Sequence, residues 1–410
     1  MTQNVEDTGE VADLDSVSLV PDQGEDDGDL DEPAAGFQAA VSSKDWTVET
    51  LVSQMRKGRI NLDPSFQRRN AWLANRKSKL LESIMLGFPI PQIVLAEEKD
   101  SPGRYIVLDG KQRLLALRQF FVESDDERDR EFEALKLTGL EVLPELNGFD
   151  LDALRKERDD LVGLTENHSI RTVVLSKWNS ERLLLSLFLR LNTGSVALSP
   201  QELRQALIHG DFMTWLDHVS GDSLPMRELL NNTHPDRRMV DAELLLRHFA
   251  FVGSPLRYAG NLKAFLDDTS RYFNDNWDAQ QQIVQRYLTD FESALTVGIQ
   301  TMGAEAFARK WTPAQGEKKG RFERALNRAV FDFQVYSLNF EAVRDSFADN
   351  ADEVVDAFKT ACSSDETFVR SISATTKTAD AFIVRHKKWQ AIIHQVTGIA
   401  YPLPAPLERD

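Results

Sequence analysis

The segment from Tyr105 to Phe121 constrains the fold of this chain more than any other part of its sequence. Residues 105–108 (YIVL) have strand propensity, and Leu114, Leu117 and Phe121 then recur at helical spacing. Between them lies the turn DGKQR, residues 109–113. The pattern predicts a strand that passes through a glycine turn directly into a helix. Because the first turn of a helix has unpaired N–H groups and a partial positive charge, such a junction can bind an anion.

The side chains of this turn suit phosphate chemistry. Gly110 has no Cβ, so the backbone can approach a phosphate closely, and Arg113 lies one turn further, where it can fold back onto phosphate oxygens. Asp109 can hold Mg²⁺ or orient a water, Gln112 can donate to phosphate or position that water, and Lys111 adds positive charge. We therefore predict a phosphate site with Asp109, Gln112 and Arg113 as catalytic residues. In the alternative, Asp109 only caps the helix and Arg113 faces solvent.

A second cluster is basic. Between residues 56 and 79 a single acid, Asp63, accompanies eight bases: Arg56, Lys57, Arg59, Arg68, Arg69, Arg76, Lys77 and Lys79. In a chain of net charge -17, such a local excess indicates where a polyanion docks. Gln67 and Arg68 lie between two aromatic residues and are predicted to join the phosphate site. Arg76, Lys77 and Lys79 are expected to form a solvated helix face.

A third cluster follows residue 190. Ser199, Pro200 and Glu202 have the spacing of a helix capping box, which explains them structurally. Capping leaves three neighbouring polar residues unexplained, and we predict that they line the same pocket: Asn192, Thr193 and Arg204. Glu82 is a further candidate for the pocket, although an ion pair with Lys79 along its helix, or with Arg68 across the fold, explains it better.

Charge and composition divide the chain into regions. Residues 1–43 hold twelve acids and no Lys or Arg, which predicts a disordered acidic tail and leaves -5 for the rest. The tail is either a solubilising segment or a nucleic-acid mimic that shields a basic site. Residues 123–170 form a charged insertion, and helical patterns dominate from 211 to 410. A single cysteine, Cys362, excludes an internal disulfide. With no leader and no long apolar run, we expect a cytoplasmic protein without membrane contact.

Together these segments resemble the N-terminal domain of GmrSD-type modification-dependent restriction systems. The resemblance is specific over about residues 46–210 and is carried by 66–68, 81–91, 107–113, 189–194 and 201–204. That family is similar in core fold to the ParB and sulfiredoxin group, in which a Gly-x-x-Arg at a helix start holds phosphate, here Gly110 and Arg113. The resemblance implies an α/β (α+β) ParB/sulfiredoxin-like core over 44–210, followed by a mostly α-helical region over 211–410. Family members commonly have Gln where this chain has Lys111.

The resemblance also implies an activity. We expect a defence protein that binds an NTP, hydrolyses it with Mg²⁺ held by Asp109, and either acts on DNA or gates a partner nuclease. A neighbouring restriction component and a second copy of this chain are further candidate partners. The alternatives are a non-hydrolysing ParB-like DNA-binding switch and a toxin or immunity component. Seven scattered histidines do not form the grouping that a second, His-Asn-His nuclease would need.

Overall fold

The computed structural model describes residues 38–60, 62, 72–99, 101–123, 129, 132–179, 184, 187, 199–208, 210–314, 319–374 and 376–407. These form two compact units: an N-terminal unit of residues up to 218 together with 237–240, and a C-terminal unit of residues 219–236 together with those from 241 on. Four predicted site residues lie outside the described residues, namely Gln67, Arg68, Asn192 and Thr193. So do the tail up to residue 37 and most of residues 181–191, whose sequence predicts a helix.

A four-stranded mixed sheet lies at the centre of the N-terminal unit. Its strands are β1 (Ala40–Thr47), β2 (Ile93–Glu97), β3 (Tyr105–Asp109) and β4 (Ser169–Ser176), in the order β1-β4-β2-β3. β2 and β4 are parallel, whereas the two outer pairs are antiparallel. The start of β1 corrects the predicted tail, since residues 40–43 are strand. They gave no strand signal because their side chains are exposed, and backbone pairing with β4 places them.

Seven helices accompany the sheet in the described part of this unit. They are α1 (Val48–Arg56), α2 (Ala74–Met85), α3 (Lys111–Phe120), α4 (Leu151–Glu157), α5 (Asp159–Asn167), α6 (Pro200–Leu207) and α7 (Asp211–Asp222). One face of the sheet packs against α1 to α5 through a core that includes Leu95 and Val107. The other face packs against α6 through a smaller cluster that includes Val94, Leu108 and Leu203. Neighbouring strand residues therefore serve opposite cores, as the pleat requires.

Helix α2 shows two differences from the sequence-based expectations. The sequence predicts Asn75 as its N-cap, but the N-cap is Leu73. Asn75 follows the helix start, and its Oδ1 accepts from the adjacent N–H of Arg76. Lys77 is not on a solvated face, because it is 5% exposed and its Nζ donates to Oε1 of Gln119 at 2.7 Å. Desolvation lowers the pKa of Lys77 to about 8. A lysine among polar neighbours gave no sign that its stem packs between helices.

The C-terminal unit is mostly helical. It contains α8 (Leu224–Leu229), α9 (Val240–Gly253), α10 (Leu262–Asp275), α11 (Trp277–Met302), α12 (Arg328–Leu338), α13 (Glu341–Asp349), α14 (Ala351–Ser364), α15 (Glu366–Ser373) and α16 (Ala379–Thr397). The apolar pattern from Phe322 to Leu338 predicts one helix. The helix begins instead at Arg328, because Asn327 caps it and a hairpin of β5 (Trp311–Thr312) and β6 (Arg321–Phe322) precedes it. No helix in the described ranges is long and apolar enough to cross a membrane.

One predicted surface in this unit is a buried network instead. The sequence RHKKW at 385–389 predicts a basic helix face, yet Arg385 and His386 are buried. Arg385 and Arg247 both donate to the carboxylate of Asp332, at 3.2 and 2.6 Å. The cations therefore stabilise the interior of the helical unit, and this stretch offers only its two lysines to solvent. Cys362 is buried as a small apolar residue, and burial raises the pKa of its thiol to about 11.

Candidate phosphate-binding site

The turn between β3 and α3 depends on glycine. Gly110 is the N-cap of α3 with φ +94° and ψ 11°, a left-handed conformation that side chains other than glycine rarely adopt. A Cβ at this position would lie 3.0 Å from Cγ1 of Ile93 and 3.2 Å from Nη2 of Arg113. Glycine is therefore required both for the backbone and for the close approach of the arginine. The cap residue is a glycine and makes no side-chain cap hydrogen bond, and the positive end of the helix dipole at this N-terminus favours an anion.

Arg113 folds back over this glycine. Its Nη2 donates to Oδ2 of Asp109 at 2.8 Å and to the carbonyl oxygen of Gln92 at 2.9 Å. The side chain is 15% exposed, and that of Asp109 is 30% exposed. The alternative in which Arg113 is a solvated helix residue is therefore wrong, and so is the N-cap role for Asp109. Gln92 contributes only a backbone carbonyl, which no side-chain pattern in the sequence could have revealed.

Within the described part of the chain, two buried polar atoms at the start of α3 have no hydrogen-bond partner. They are Nε of Arg113 and Oε1 of Gln112. Buried polar atoms in folded proteins are nearly always paired, so unpaired ones call for an explanation. One is a cationic donor beside the helix N-terminus, and the other is an acceptor one residue away. A phosphate group and an ordered water would complete this set.

The sheet register turns Asp109 towards α6. Val94 pairs with Asp109 whereas Leu95 pairs with Val107, so Leu108 is an extra residue, a β-bulge, on β3. Regular alternation would place Asp109 on the face of Val107, but the bulge sets it opposite Val94, on the α6 face. Bulges commonly redirect a side chain next to a functional site.

Helix α6 adds charged groups near this turn. The predicted capping box is present, with Ser199 accepting from the N–H of Glu202 at 3.1 Å and Glu202 accepting from that of Ser199 at 2.6 Å. Burial raises the pKa of Glu202, an effect that the charges of Arg238 and Lys111 oppose. Arg238 lies 3.5 Å from Glu202 and was missed by the sequence analysis. The charge of Lys111, at the start of α3, therefore also acts on Glu202 of α6.

Two further candidate residues, Glu82 and Arg204, make hydrogen bonds with the surrounding protein. Oε1 of Glu82 accepts three backbone N–H bonds, from Glu141, Val142 and Leu143, at 2.7 to 3.0 Å. These bonds outweigh the effect of burial and lower the pKa of Glu82. The carboxylate therefore anchors a loop of the charged insertion and not Lys79, which pairs with Glu141. Arg204 is buried on α6, where its Nη1 donates to Oε1 of Gln201 at 2.6 Å.

The turn offers a metal ion one carboxylate. Within the described ranges, no three His, Cys, Asp or Glu residues group as metal ligands, and Oδ1 of Asp109 accepts no hydrogen bond there. Mg²⁺ is commonly held by one or two carboxylates together with phosphate oxygens. Asp109 fits an ion that arrives with a nucleotide, whereas a site built from protein ligands alone does not fit these residues.

Comparison with known proteins gives one match. Residues 48–209 match the family model described as the GmrSD restriction endonuclease, N-terminal domain. The matched segment starts at α1 and extends just beyond α6, so it includes Asp109, Gly110 and Arg113. No curated protein and no solved structure matches the chain.

Proposed function

Because residues 48–209 form a domain of the GmrSD restriction endonuclease N-terminal family, we propose that this protein is a restriction-type defence component that binds and hydrolyses a nucleoside triphosphate where β3 meets α3. One observation carries the proposal. Arg113 is held over Gly110, at a helix N-terminus whose cap residue has no side chain, and its buried Nε has no hydrogen-bond partner among the described residues. A cation, bare backbone and helix dipole directed at one point suit a phosphate group.

Each residue of the turn has a part in this proposal. The phosphate lies against Gly110, accepts from the first-turn N–H groups of α3 and from Nε of Arg113, and is further neutralised by Lys111. Gln112 orients the attacking water through its unpaired Oε1. Gln67 and Arg68 remain proposed additional donors, and Asn192, Thr193 and Arg204 remain proposed pocket residues.

Asp109 would hold a Mg²⁺ ion that arrives with the nucleotide, through the oxygen that Arg113 does not engage. Such an ion, when bound, neutralises charge on the phosphates. The ion pair with Arg113 keeps the carboxylate beside the phosphate site while leaving Oδ1 available. The ParB/sulfiredoxin-like core, in which a Gly-x-x-Arg binds phosphate, is part of the same proposal and is supported by the position of this motif at the start of α3.

A second candidate function is a ParB-like switch that binds a nucleotide and DNA without turnover. The Asp109–Arg113 ion pair favours it, because an engaged carboxylate is a weaker metal ligand than a free one. The two functions differ in one measurable quantity, the steady release of phosphate. DNA cleavage by this chain or by a partner nuclease, self-association, and a toxin or immunity role are outcomes for later tests of the same protein.

The test compares nucleotide binding and phosphate release for wild type, Arg113→Ala and Arg104→Ala, across the four NTPs with Mg²⁺, with and without DNA. Arg104 is an exposed arginine beside the opposite end of β3 and serves as a matched control. Loss of charge-assisted hydrogen bonds worth about 1.5–3 kcal/mol should weaken binding by at least about tenfold in Arg113→Ala. Arg104→Ala should behave as wild type.

Unchanged binding by Arg113→Ala, with an unchanged circular dichroism spectrum, would remove the phosphate site from this turn. Tight binding without phosphate release from wild type, with or without DNA, would establish the switch in place of the hydrolase.

A further inference from the structure

Residues 237–240 belong to the N-terminal unit, although the chain on either side of them belongs to the C-terminal unit. Within this turn, the carbonyl oxygen of Arg238 accepts a hydrogen bond from Oγ of Ser199 at 2.7 Å. Nε of the same arginine lies 3.5 Å from Oε2 of Glu202. Ser199 is the N-cap of α6, and Glu202 is in its first turn. The backbone and the side chain of Arg238 are therefore both placed at the start of α6.

The backbone of this turn is strained directly after the arginine. Met239 has φ +58°, in the left-handed region that residues other than glycine rarely adopt, and it is buried. Such conformations persist only where the surrounding structure holds them, and they cluster at binding and catalytic sites. The guanidinium side chain of Arg238 is 37% exposed. The turn therefore holds an arginine that a ligand can reach.

The start of α6 lies beside the proposed phosphate site. Leu203 packs in the same cluster as Leu108, the residue before Asp109, and the β-bulge of β3 turns Asp109 to this face of the sheet. The charge of Lys111, the first residue of α3, acts on Glu202. The arginine of the turn 237–240 is therefore on the α6 side of the proposed phosphate site.

The charges at this point favour a polyanion. Three cations, Lys111, Arg113 and Arg238, are accompanied by two carboxylates, those of Asp109 and Glu202. The positive end of the α3 dipole adds to the excess of positive charge. The triphosphate of a nucleotide carries several negative charges, more than one arginine can neutralise. A second arginine on the α6 side supplies what Arg113 alone does not.

We propose that Arg238 binds a second phosphate group of the nucleotide, beside the one that Arg113 holds. This inference rests on the proposed phosphate site and makes that site selective for nucleotides with two or more phosphates. A guanidinium can donate two parallel hydrogen bonds to a phosphate. Its contact with Glu202 is longer than an ordinary N–H···O hydrogen bond, so a phosphate can replace it. Arg238 lies outside the matched residues 48–209, so the family match does not assign it a role.

The competing role for Arg238 is structural, as a counter-ion that supports the folded start of α6. The hydrogen bond to Ser199 uses only the backbone carbonyl of Arg238, which any residue at this position would supply. The ion pair with Glu202 is long and partly exposed, and such pairs contribute little to stability. Neither contact accounts for an arginine in a strained turn, whereas a phosphate ligand does.

The test measures binding of the four NTPs and the four corresponding nucleoside monophosphates by isothermal titration calorimetry, in EDTA, which prevents Mg²⁺-dependent hydrolysis. Arg238→Gln should lower NTP affinity by at least about tenfold and leave monophosphate affinity unchanged, because one phosphate reaches only Arg113. Arg238→Lys should lose less, since it retains the charge but not the paired donors. Arg171→Gln is the control, because it removes an exposed arginine of β4 in the same unit and should behave as wild type.

Unchanged NTP affinity in Arg238→Gln would overturn the proposal. An equal loss for triphosphates and monophosphates would also overturn it, because a structural role affects both. Arg113→Ala separates this proposal from the previous one. A loss in Arg113→Ala without a loss in Arg238→Gln contradicts only the second phosphate contact, and the reverse result contradicts the assignment of the first phosphate to Arg113. Wild-type protein that binds no nucleotide would refute both proposals.

Discussion

Nη2 of Arg113 bridges Oδ2 of Asp109 and the carbonyl oxygen of Gln92, at 2.8 and 2.9 Å. One nitrogen thereby joins the end of β3 to the residue that precedes β2, across a glycine that leaves room for it. The arginine is positioned before any ligand arrives. Such preorganisation reduces the entropy that binding would otherwise cost.

Asp109→Asn should separate binding from turnover. The amide can still accept from Arg113, but it carries no negative charge beside the phosphate. We expect nucleotide binding in the presence of EDTA to tighten by several-fold, while Mg²⁺-dependent phosphate release falls by at least about tenfold. Isothermal titration calorimetry and a phosphate assay measure the two quantities. Weaker binding in EDTA would mean that the main task of Asp109 is to hold Arg113.

Gly110→Ala should impair both stability and binding. A left-handed alanine costs about 1–2 kcal/mol, and its Cβ would displace Ile93 or Arg113. Gly87→Ala is the matched control, because φ is +72° there and a Cβ would have no neighbour within 4 Å. Urea unfolding should show a larger loss for Gly110→Ala, and only that variant should lose nucleotide affinity. Equal effects of the two substitutions would show that the close contact with Arg113 is unimportant.

Glu82→Gln should destabilise the N-terminal unit in a pH-dependent way. The folded-state pKa of Glu82 is lowered from 4.5 by three backbone donors, so the unfolded state binds more protons in that range. Its contribution is complete above the ordinary pKa and is lost as the pH falls through the lowered one. We expect a loss of about 1–3 kcal/mol at neutral pH that shrinks below pH 4.5. A difference in urea midpoint that is independent of pH would contradict this assignment.

Lys77→Met should remove a slope of stability with pH. The pKa of Lys77 is lowered from 10.5 to about 8, so between these values the folded protein has released a proton that the unfolded chain still binds. Wild-type stability should therefore rise with pH in this interval by up to about 1.4 kcal/mol per unit relative to the variant. Lys79→Met, which changes an exposed lysine of the same helix, is the control. Parallel pH profiles for wild type and Lys77→Met would refute the prediction.

Local pattern predicted the elements around the site closely. The helix predicted over 111–121 is α3, and the capping box at Ser199 is formed as predicted. These features depend on neighbours within a few residues, which a sequence displays directly. Two elements were not predictable in this way: the strand at residues 40–43, and the hairpin that precedes the helix start at Arg328. Both form by pairing with a partner strand, which the local sequence does not show.

Around the site, the sequence did not predict which side chains are buried or the register of the strands. No pattern distinguishes the buried Lys77 from the exposed Lys79 two residues away. The bulge at Leu108, which sends Asp109 to the α6 face, follows from pairing with β2 and not from propensity. Backbone acceptors such as the carbonyl of Gln92 have no sequence signal at all. The sequence did show that an arginine lies one helical turn beyond a glycine.

The return of residues 237–240 to the N-terminal unit limits how this protein can be divided. Oγ of Ser199 donates to the carbonyl oxygen of Arg238 at 2.7 Å, and the guanidinium of Arg238 lies 3.5 Å from Glu202. A fragment that stops at residue 218 would lack both partners. Ser199 would then lose a hydrogen-bond acceptor, and Glu202 would lose the neighbouring charge of Arg238. Gene fragments intended to retain the proposed phosphate site should therefore extend past residue 240, although the family match stops at 209.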